Sequence, residues 1–213
     1  MKAFAGGILQ SVGEMKKGLL MKAHLRRVLL ATAILLIAVN TASAQPTIYL
    51  VRHAEKLANW PEDDDLDAYQ PLSTEGIARA QKLAEQFKPG AIAAVFSSRT
   101  TRSLHTALPL AQKLMLTLEV ADACADTATI SAFYKTISQR FGPDKAVVLV
   151  SHSNIIPYLL IEAGLSPACF KETGIVASSP DSWLLIEGYD TIWRVEKWRI
   201  ATKTCEGFTR MKY

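Results

Sequence analysis

Two histidines, His53 and His152, and two arginines, Arg52 and Arg102, each follow closely on a short apolar run. Arg52-His53 lies directly behind Thr47-Ile48-Tyr49-Leu50-Val51. Ala93, Val95 and Phe96 lead into Ser97-Ser98 and then Arg102, and Val147-Val148-Leu149-Val150 leads into Ser151-His152-Ser153-Asn154. Apolar, β-branched runs of this length predict buried strands. A polar cluster at the end of such a strand is costly unless a ligand uses it. In open α/β sheets ligands bind outside the carboxyl ends of the strands, so these strand ends would offer both histidines and both arginines to one pocket. Several fixed cations and donors around one point suit a phosphoryl group, whose charge spreads over its oxygens during transfer.

Each residue type then has a role. Arg52 and Arg102 supply planar forks for phosphate oxygens. Arg102 falls in the first turn of a predicted helix, where free backbone N–H groups and the helix dipole favour an anion. His152 sits at another strand-to-helix junction and would bind phosphate oxygens. His53 is the natural nucleophile, since a neutral imidazole nitrogen can attack phosphorus and form a phosphohistidine that water then hydrolyses. Neighbouring arginines disfavour protonation of His53 and keep it nucleophilic. The same arginines would repel a metal ion, and the chain has no His-x-His or His-Glu-x-x-His pattern, so neither metal nor cofactor is expected.

The elements that must position these residues alternate strand and helix, which predicts an α/β three-layer sandwich with a mostly parallel central sheet. After the first strand a polar loop, 54–72, carries the acidic run Glu62-Asp63-Asp64-Asp65-Leu66-Asp67, expected to be a solvated face. Ser73 or Thr74 can cap a helix with Ile77, Ala80, Ala84 and Phe87 at helical spacing, stopped by Pro89-Gly90. A second helix carries Leu104, Ala107, Leu108, Ala111 and Leu114, with Pro109 expected to kink it. A weak strand over 116–120 precedes an irregular stretch at 122–126, and Ile130, Phe133, Ile137 and Phe141 mark a third helix. A fourth runs from about Asn154 to Ala163. Trp183 to Glu187 and Thr191 to Trp198, joined by Gly188-Tyr189-Asp190, predict a closing hairpin, with Trp183, Trp193 and Trp198 packing in it. Asn59 reads as a surface turn.

The N-terminus reads as a leader. Lys22, Arg26 and Arg27 precede the apolar stretch Val28 to Val39, followed by Ala42-Ser43-Ala44, which predicts a secretory signal over 1–44 cleaved before Gln45, with Met21 as an alternative start. The stretch is shorter than the ~20 residues of a spanning helix, so no stable anchor is expected after cleavage, with an uncleaved anchor as the competing reading. Six of the 24 basic residues and one of the 20 acidic ones lie before residue 45, which leaves 18 against 19 and a net charge of −1 for 45–213. The chain's positive charge is therefore leader sequence, and nothing argues for a nucleic-acid partner. Cys124, Cys169 and Cys205 allow one disulfide in an oxidising compartment and leave the choice of pair open.

Leu50-Val51-Arg52-His53-Ala54-Glu55 resembles the Arg-His-Gly/Ala signature of the histidine phosphatase superfamily, the phosphoglycerate mutase-like fold. Further segments agree in order. Pro71-Leu72-Ser73-Thr74-Glu75-Gly76 with Arg79-Ala80 resembles the family's Leu-Thr/Ser-x-x-Gly segment. Ser97-Ser98-x-x-x-Arg102-x-x-His105-Thr106-Ala107 resembles Ser-Ser-x-x-x-Arg-Ala-x-Gln-Thr-Ala, and Ser151-His152-Ser153-Asn154 resembles Gly-His-Ser-Asn. The resemblance implies that His53 is phosphorylated and that Arg52, Arg102 and His152 complete the phosphate pocket. It selects Arg102 over Arg99, and His105, where the family often has glutamine, is expected to be a helix-packing or polar-network residue and not a catalyst. The family's proton donor has no clear counterpart: Ser153 follows His152 where one branch has aspartate, so Asp122, Asp126, Glu55, the Asp63 to Asp65 loop or no acid at all stay open. Leader, site residues and resemblance together predict an exported, periplasmic or secreted phosphatase of a small phosphomonoester, such as an envelope sugar phosphate, acting without metal. A catalytically weak phospho-ligand-binding module, a phosphohistidine protein phosphatase and a mutase are the other classes.

Overall fold

Strands form where the chain is apolar at consecutive positions. The computed structural model describes residues 45–61, 63–177, 183–198 and 203–213, together with Arg26; the leader expected over 1–44 otherwise lies outside the described residues. From 45 onward the described residues fall in one unit. β1 (Thr47–Arg52) leads into the long loop, which contains the one-turn helix α1 (Asp64–Asp67). Then follow α2 (Thr74–Glu85), β2 (Ala94–Ser97), α3 (Thr101–Leu114), β3 (Leu118–Val120), α4 (Ile130–Arg140), β4 (Ala146–Ser151) and α5 (Ile156–Glu162). The chain closes with α6 (Phe170–Thr173), β5 (Ile175–Ala177), β6 (Leu184–Ile186), β7 (Thr191–Val195) and β8 (Phe208–Lys212). The main sheet has the order β3-β2-β4-β1-β7-β8, parallel from β3 to β1 and antiparallel at β7 and β8.

Successive strand residues point to opposite faces, and here both faces are apolar. Ile48, Leu50, Phe96, Val147 and Leu149 pack on one side with Ile130, Tyr134 and Ile137 of α4 and Ile156, Leu159 and Leu160 of α5. Val51, Val95, Val148 and Val150 pack on the other with Leu83 and Ala84 of α2 and Ala107, Leu110, Ala111 and Leu114 of α3. Helices on both faces of a mostly parallel sheet make the expected α/β sandwich. A fully buried aliphatic side chain such as Leu149 contributes roughly 1.5–3 kcal/mol, and these residues hold the strand ends in register.

The helices begin and end where the residues dictate. Ser73 is the α2 N-cap, its side chain accepting from the Gly76 N–H at 3.1 Å. α3 continues through Pro109 to Leu114, so the proline sits inside the helix and does not end it. The irregular stretch at 122–126 contains a 3-10 turn, Asp122–Cys124, and a second follows at Thr127–Thr129.

The closing hairpin does not form. β6 pairs with β5, with Ile186 opposite Ile175, whereas β7 pairs with β1 and β8. The reason is burial: Ile192, Trp193 and Val195 are all buried, so β7 needs cover on both faces and enters the sheet. Trp193 and Trp198 are core, donating to the carbonyls of Thr173 and Pro46, while Trp183 is 68% exposed and packs in no hairpin. β8 carries no apolar pattern and was invisible to periodicity. Cys169 and Cys205 form the disulfide, and Cys124 is a buried free thiol.

Candidate active site

The β1–β4 register places Arg52 opposite Ser151, so His53 and His152 leave adjacent parallel strands side by side. The His53 N–H donates to the Ser151 carbonyl at 2.8 Å, and the two imidazole rings meet edge to face with centroids 5.2 Å apart. β2 lies on the other side of β4, with Ser97 opposite Val150, which delivers Ser98 to His152 and starts α3 beside it. Arg102 follows in the first turn of α3. The structure thus brings His53, His152, Arg52 and Arg102 to one end of the sheet. His53 and Arg102 are 5% and 7% exposed.

Hydrogen bonding decides which nitrogen of His53 is free. Nδ1 lies 2.8 Å from the Ala54 carbonyl. A carbonyl only accepts, so Nδ1 carries the proton and Nε2 keeps its lone pair. Burial, then the charges of His152, Arg102 and Arg52, push His53 down to about 3 against the pull of that carbonyl. Burial, then Arg102 and Arg52, push His152 down to about 4, with Asp67 opposing. Both imidazoles are therefore neutral near pH 7, and the guanidiniums supply the positive charge. His152 Nε2 pairs with Ser98 Oγ at 2.9 Å, and Ser98 pairs onward with Thr100. Thr106 joins the two halves of the site. Its hydroxyl accepts from the Ala54 N–H at 2.9 Å and donates to the Arg102 carbonyl at 2.7 Å.

Each arginine is fixed by part of its fork. Arg52 donates to the Gly188 carbonyl and the Tyr189 hydroxyl and lies over the Tyr189 ring, 4.0 Å from its centroid. Arg102 donates through Nη1 to the Asp67 carbonyl at 2.5 Å and through Nη2 to the Asp67 carboxylate at 2.8 Å. The Nε atoms of both arginines are buried and without a protein partner among the described residues. A buried N–H without a partner costs about 1–3 kcal/mol, which favours an acceptor at each Nε.

The structure separates the acid candidates. Glu55 accepts from Arg79 Nε, 2.8 Å from each carboxylate oxygen, and pairs with Arg79 Nη2 as well. Partial burial raises the Glu55 pKa, but the Arg79 bonds and charge outweigh it and hold it below the usual range. Asp122 pairs with the exposed Arg99 at 3.3 Å, and Asp126 accepts from the Ala128 N–H. Neither bonds to the four-residue cluster among the described residues. Asp63 lines the cleft beside the loop, and the side chains of Asp64 and Asp65 lie outside the described residues. His105 is exposed on α3 and packs into no core, and Asn59 sits in a turn with φ 58°.

Two residues of the site were not visible in the sequence. Tyr189 falls in the segment that the sequence predicts as a hairpin link; because β7 runs antiparallel to β1, the segment preceding β7 arrives at the carboxyl end of β1 and meets Arg52. Asp67 belonged to an acidic run read as solvated, and its partner Arg102 is 35 residues away.

Residues 48–129 match the family model described as the histidine phosphatase superfamily, branch 1. This segment, which carries Arg52, His53 and Arg102, is similar to the histidine phosphatase superfamily. No curated protein sequence matches it. Solved structures sharing the fold include the protein histidine phosphatase SixA complexed with tungstate, 18% identical, with a TM-score of 0.53 over 78% of this chain and 96% of that one. The alpha-ribazole phosphatase from Shigella flexneri is 15% identical, with a TM-score of 0.51 over 75% and 99%. A mycobacterial hydrolase is 16% identical, with a TM-score of 0.51 over 79% and 97%.

Proposed function

We propose that this chain is an exported phosphatase that hydrolyses a phosphomonoester through a phosphohistidine on His53, without a metal ion. The observation that carries the reading is the state of His53: buried, neutral, with Nδ1–H fixed on Ala54 and Nε2 free beside two arginines whose Nε–H groups are unpartnered. Phosphate oxygens seat against Arg52, Arg102 and His152. Nε2 attacks phosphorus, the leaving oxygen departs, and water attacks the phosphohistidine in the second step. The arginines stabilise the charge that develops in both steps. They do the work a divalent ion does elsewhere, which supports metal independence.

Export rests on the leader expected over 1–44 and is supported by the Cys169–Cys205 disulfide, a bond that persists in oxidising compartments such as the periplasm. A phosphohistidine protein phosphatase is the second reading. It is favoured by Glu55, Asp122 and Asp126 all being engaged elsewhere, since a phosphoramidate leaves with little help from an acid.

Turnover of an aryl phosphate by the full chain, with and without EDTA and beside His53→Ala, tests the proposal. The expected result is a rate unaffected by EDTA and lost in the variant. A rate that EDTA removes overturns metal independence, and a variant that keeps parental turnover overturns the phosphohistidine path. A folded parent without turnover makes the chain a phospho-ligand-binding module.

A further inference from the structure

One acidic residue, Asp67, joins Arg102 to a neighbouring cleft. Its carboxylate touches Arg102 Nη2, and the same residue lines a cleft of about 660 Å³ together with Lys56, Asn59, Trp60 and Gln70. A cleft of this size suits a small organic group. A phosphate held by Arg102 therefore lies next to Asp67, the residue through which the cluster adjoins the cleft. We propose that Asp67 is the catalytic acid and base of this site, and that the substrate is an alkyl phosphomonoester whose alcohol leaves into this cleft. The inference rests on the phosphatase reading above.

The geometry makes the step local. Arg102 Nε and Nη2 form one edge of the guanidinium; Nε is unpartnered and Nη2 holds the Asp67 carboxylate. A phosphate taking that edge displaces the carboxylate. The backbone stays latched, because Arg102 Nη1 holds the Asp67 carbonyl and the Thr101 N–H holds the Ala68 carbonyl at 2.9 Å. Only the side chain has to turn, and it is half exposed.

Displacement also changes its acidity. Partial burial raises the Asp67 pKa, but the Arg102 bond and charge, with Lys56 and His152, outweigh it and keep the carboxyl ionised. Phosphate removes the arginine bond and brings negative charge close, and both favour the protonated form. In the first step the bond from phosphorus to the alkoxyl oxygen breaks as the His53 Nε2–P bond forms, and the Asp67 proton passes to that oxygen. In the second, water attacks phosphorus, the N–P bond returns its electron pair to Nε2, and the Asp67 carboxylate takes the water proton.

The test is Asp67→Asn in the full chain, assayed on para-nitrophenyl phosphate, whose leaving group needs little protonation, and on glycerol phosphate, whose alkoxide needs much. The expected result is a kcat/KM on the alkyl ester reduced by about 10²-fold or more, with the aryl ester reduced less than about tenfold. The ratio of the two is independent of how much of a preparation is folded. An equal loss on both esters overturns the role of Asp67. A gain on both makes Asp67 a competitor for phosphate and overturns it too. If His53→Ala keeps turnover, or the parent hydrolyses neither ester, the phosphohistidine reading itself falls. A dead His53→Ala with an unchanged ratio in Asp67→Asn removes the acid alone.

Discussion

His53 and His152 are buried as neutral rings beside two cations, and this links the site to the stability of the domain. In the unfolded chain a histidine binds its proton near pH 6.5; in the folded chain His53 does so only near 3 and His152 near 4. Between those values the unfolded state binds more protons, so stability rises with pH, is complete above about 6.5 and falls away as pH drops toward 3. The expected outcome is a melting temperature that climbs from about pH 4 to 6.5 and then flattens, with a shallower climb in His53→Asn. Thermal unfolding across a pH series measures it, and equal slopes in parent and variant would sink the assignment.

The elements meet at contacts that admit no spare atoms. Gly76 opens α2 beneath the segment that follows His53, and a Cβ there would lie 2.2 Å from the Glu55 carbonyl oxygen. The Ser73 N–H donates to the same carbonyl at 2.9 Å, so the cap of α2 and the chain after His53 are docked as one piece. Gly76→Ala must push α2 off that segment or shift Glu55 and, through it, Ala54 and His53. The expected cost is about 1–3 kcal/mol of stability, the usual range for overpacking, with a larger proportional loss of kcat than of KM. Denaturant melts with steady-state kinetics check both, and full activity at parental stability would show that α2 can yield without moving the site.

Across the whole domain, one side of the sandwich ends in a region with little core of its own. α6, β5 and β6 are short, and the Cys169–Cys205 disulfide ties the turn before α6 to the chain entering β8. The bridge joins cysteines 36 residues apart, and loops of that order are stabilised by about 2–4 kcal/mol. Reduction is expected to lower the melting temperature by about 5–15 °C for a domain of this size, and Cys205→Ala is expected to do the same without added reductant. Scanning fluorimetry with and without dithiothreitol measures this; an unchanged melting temperature would mean that packing alone holds the segment. Phosphate turnover should survive reduction below the new transition, because among the described residues no hydrogen bond or ion pair links the cystine to the four-residue cluster.

Much of this protein was determined by local pattern. Apolar runs buried on both faces dictate the β1, β2 and β4 strands, 3.6-residue spacing dictates the helices, and Arg52-His53, Arg102 and His152 stand at the ends of those runs, where a parallel sheet collects them. What the pattern could not carry was anything set by long-range pairing. Which strand β7 joins follows from how many faces must be buried, and a run of apolar residues does not name its neighbour. That choice delivers Tyr189 to Arg52. The Asp67–Arg102 pair and the Cys169–Cys205 bond are likewise meetings between distant segments, one inside an acidic run whose composition reads as solvent-facing. The tautomer of His53 was decided last, by a single carbonyl 2.8 Å from Nδ1. Spacing can place an imidazole at a strand end, but only the folded backbone chooses which of its nitrogens is left to react.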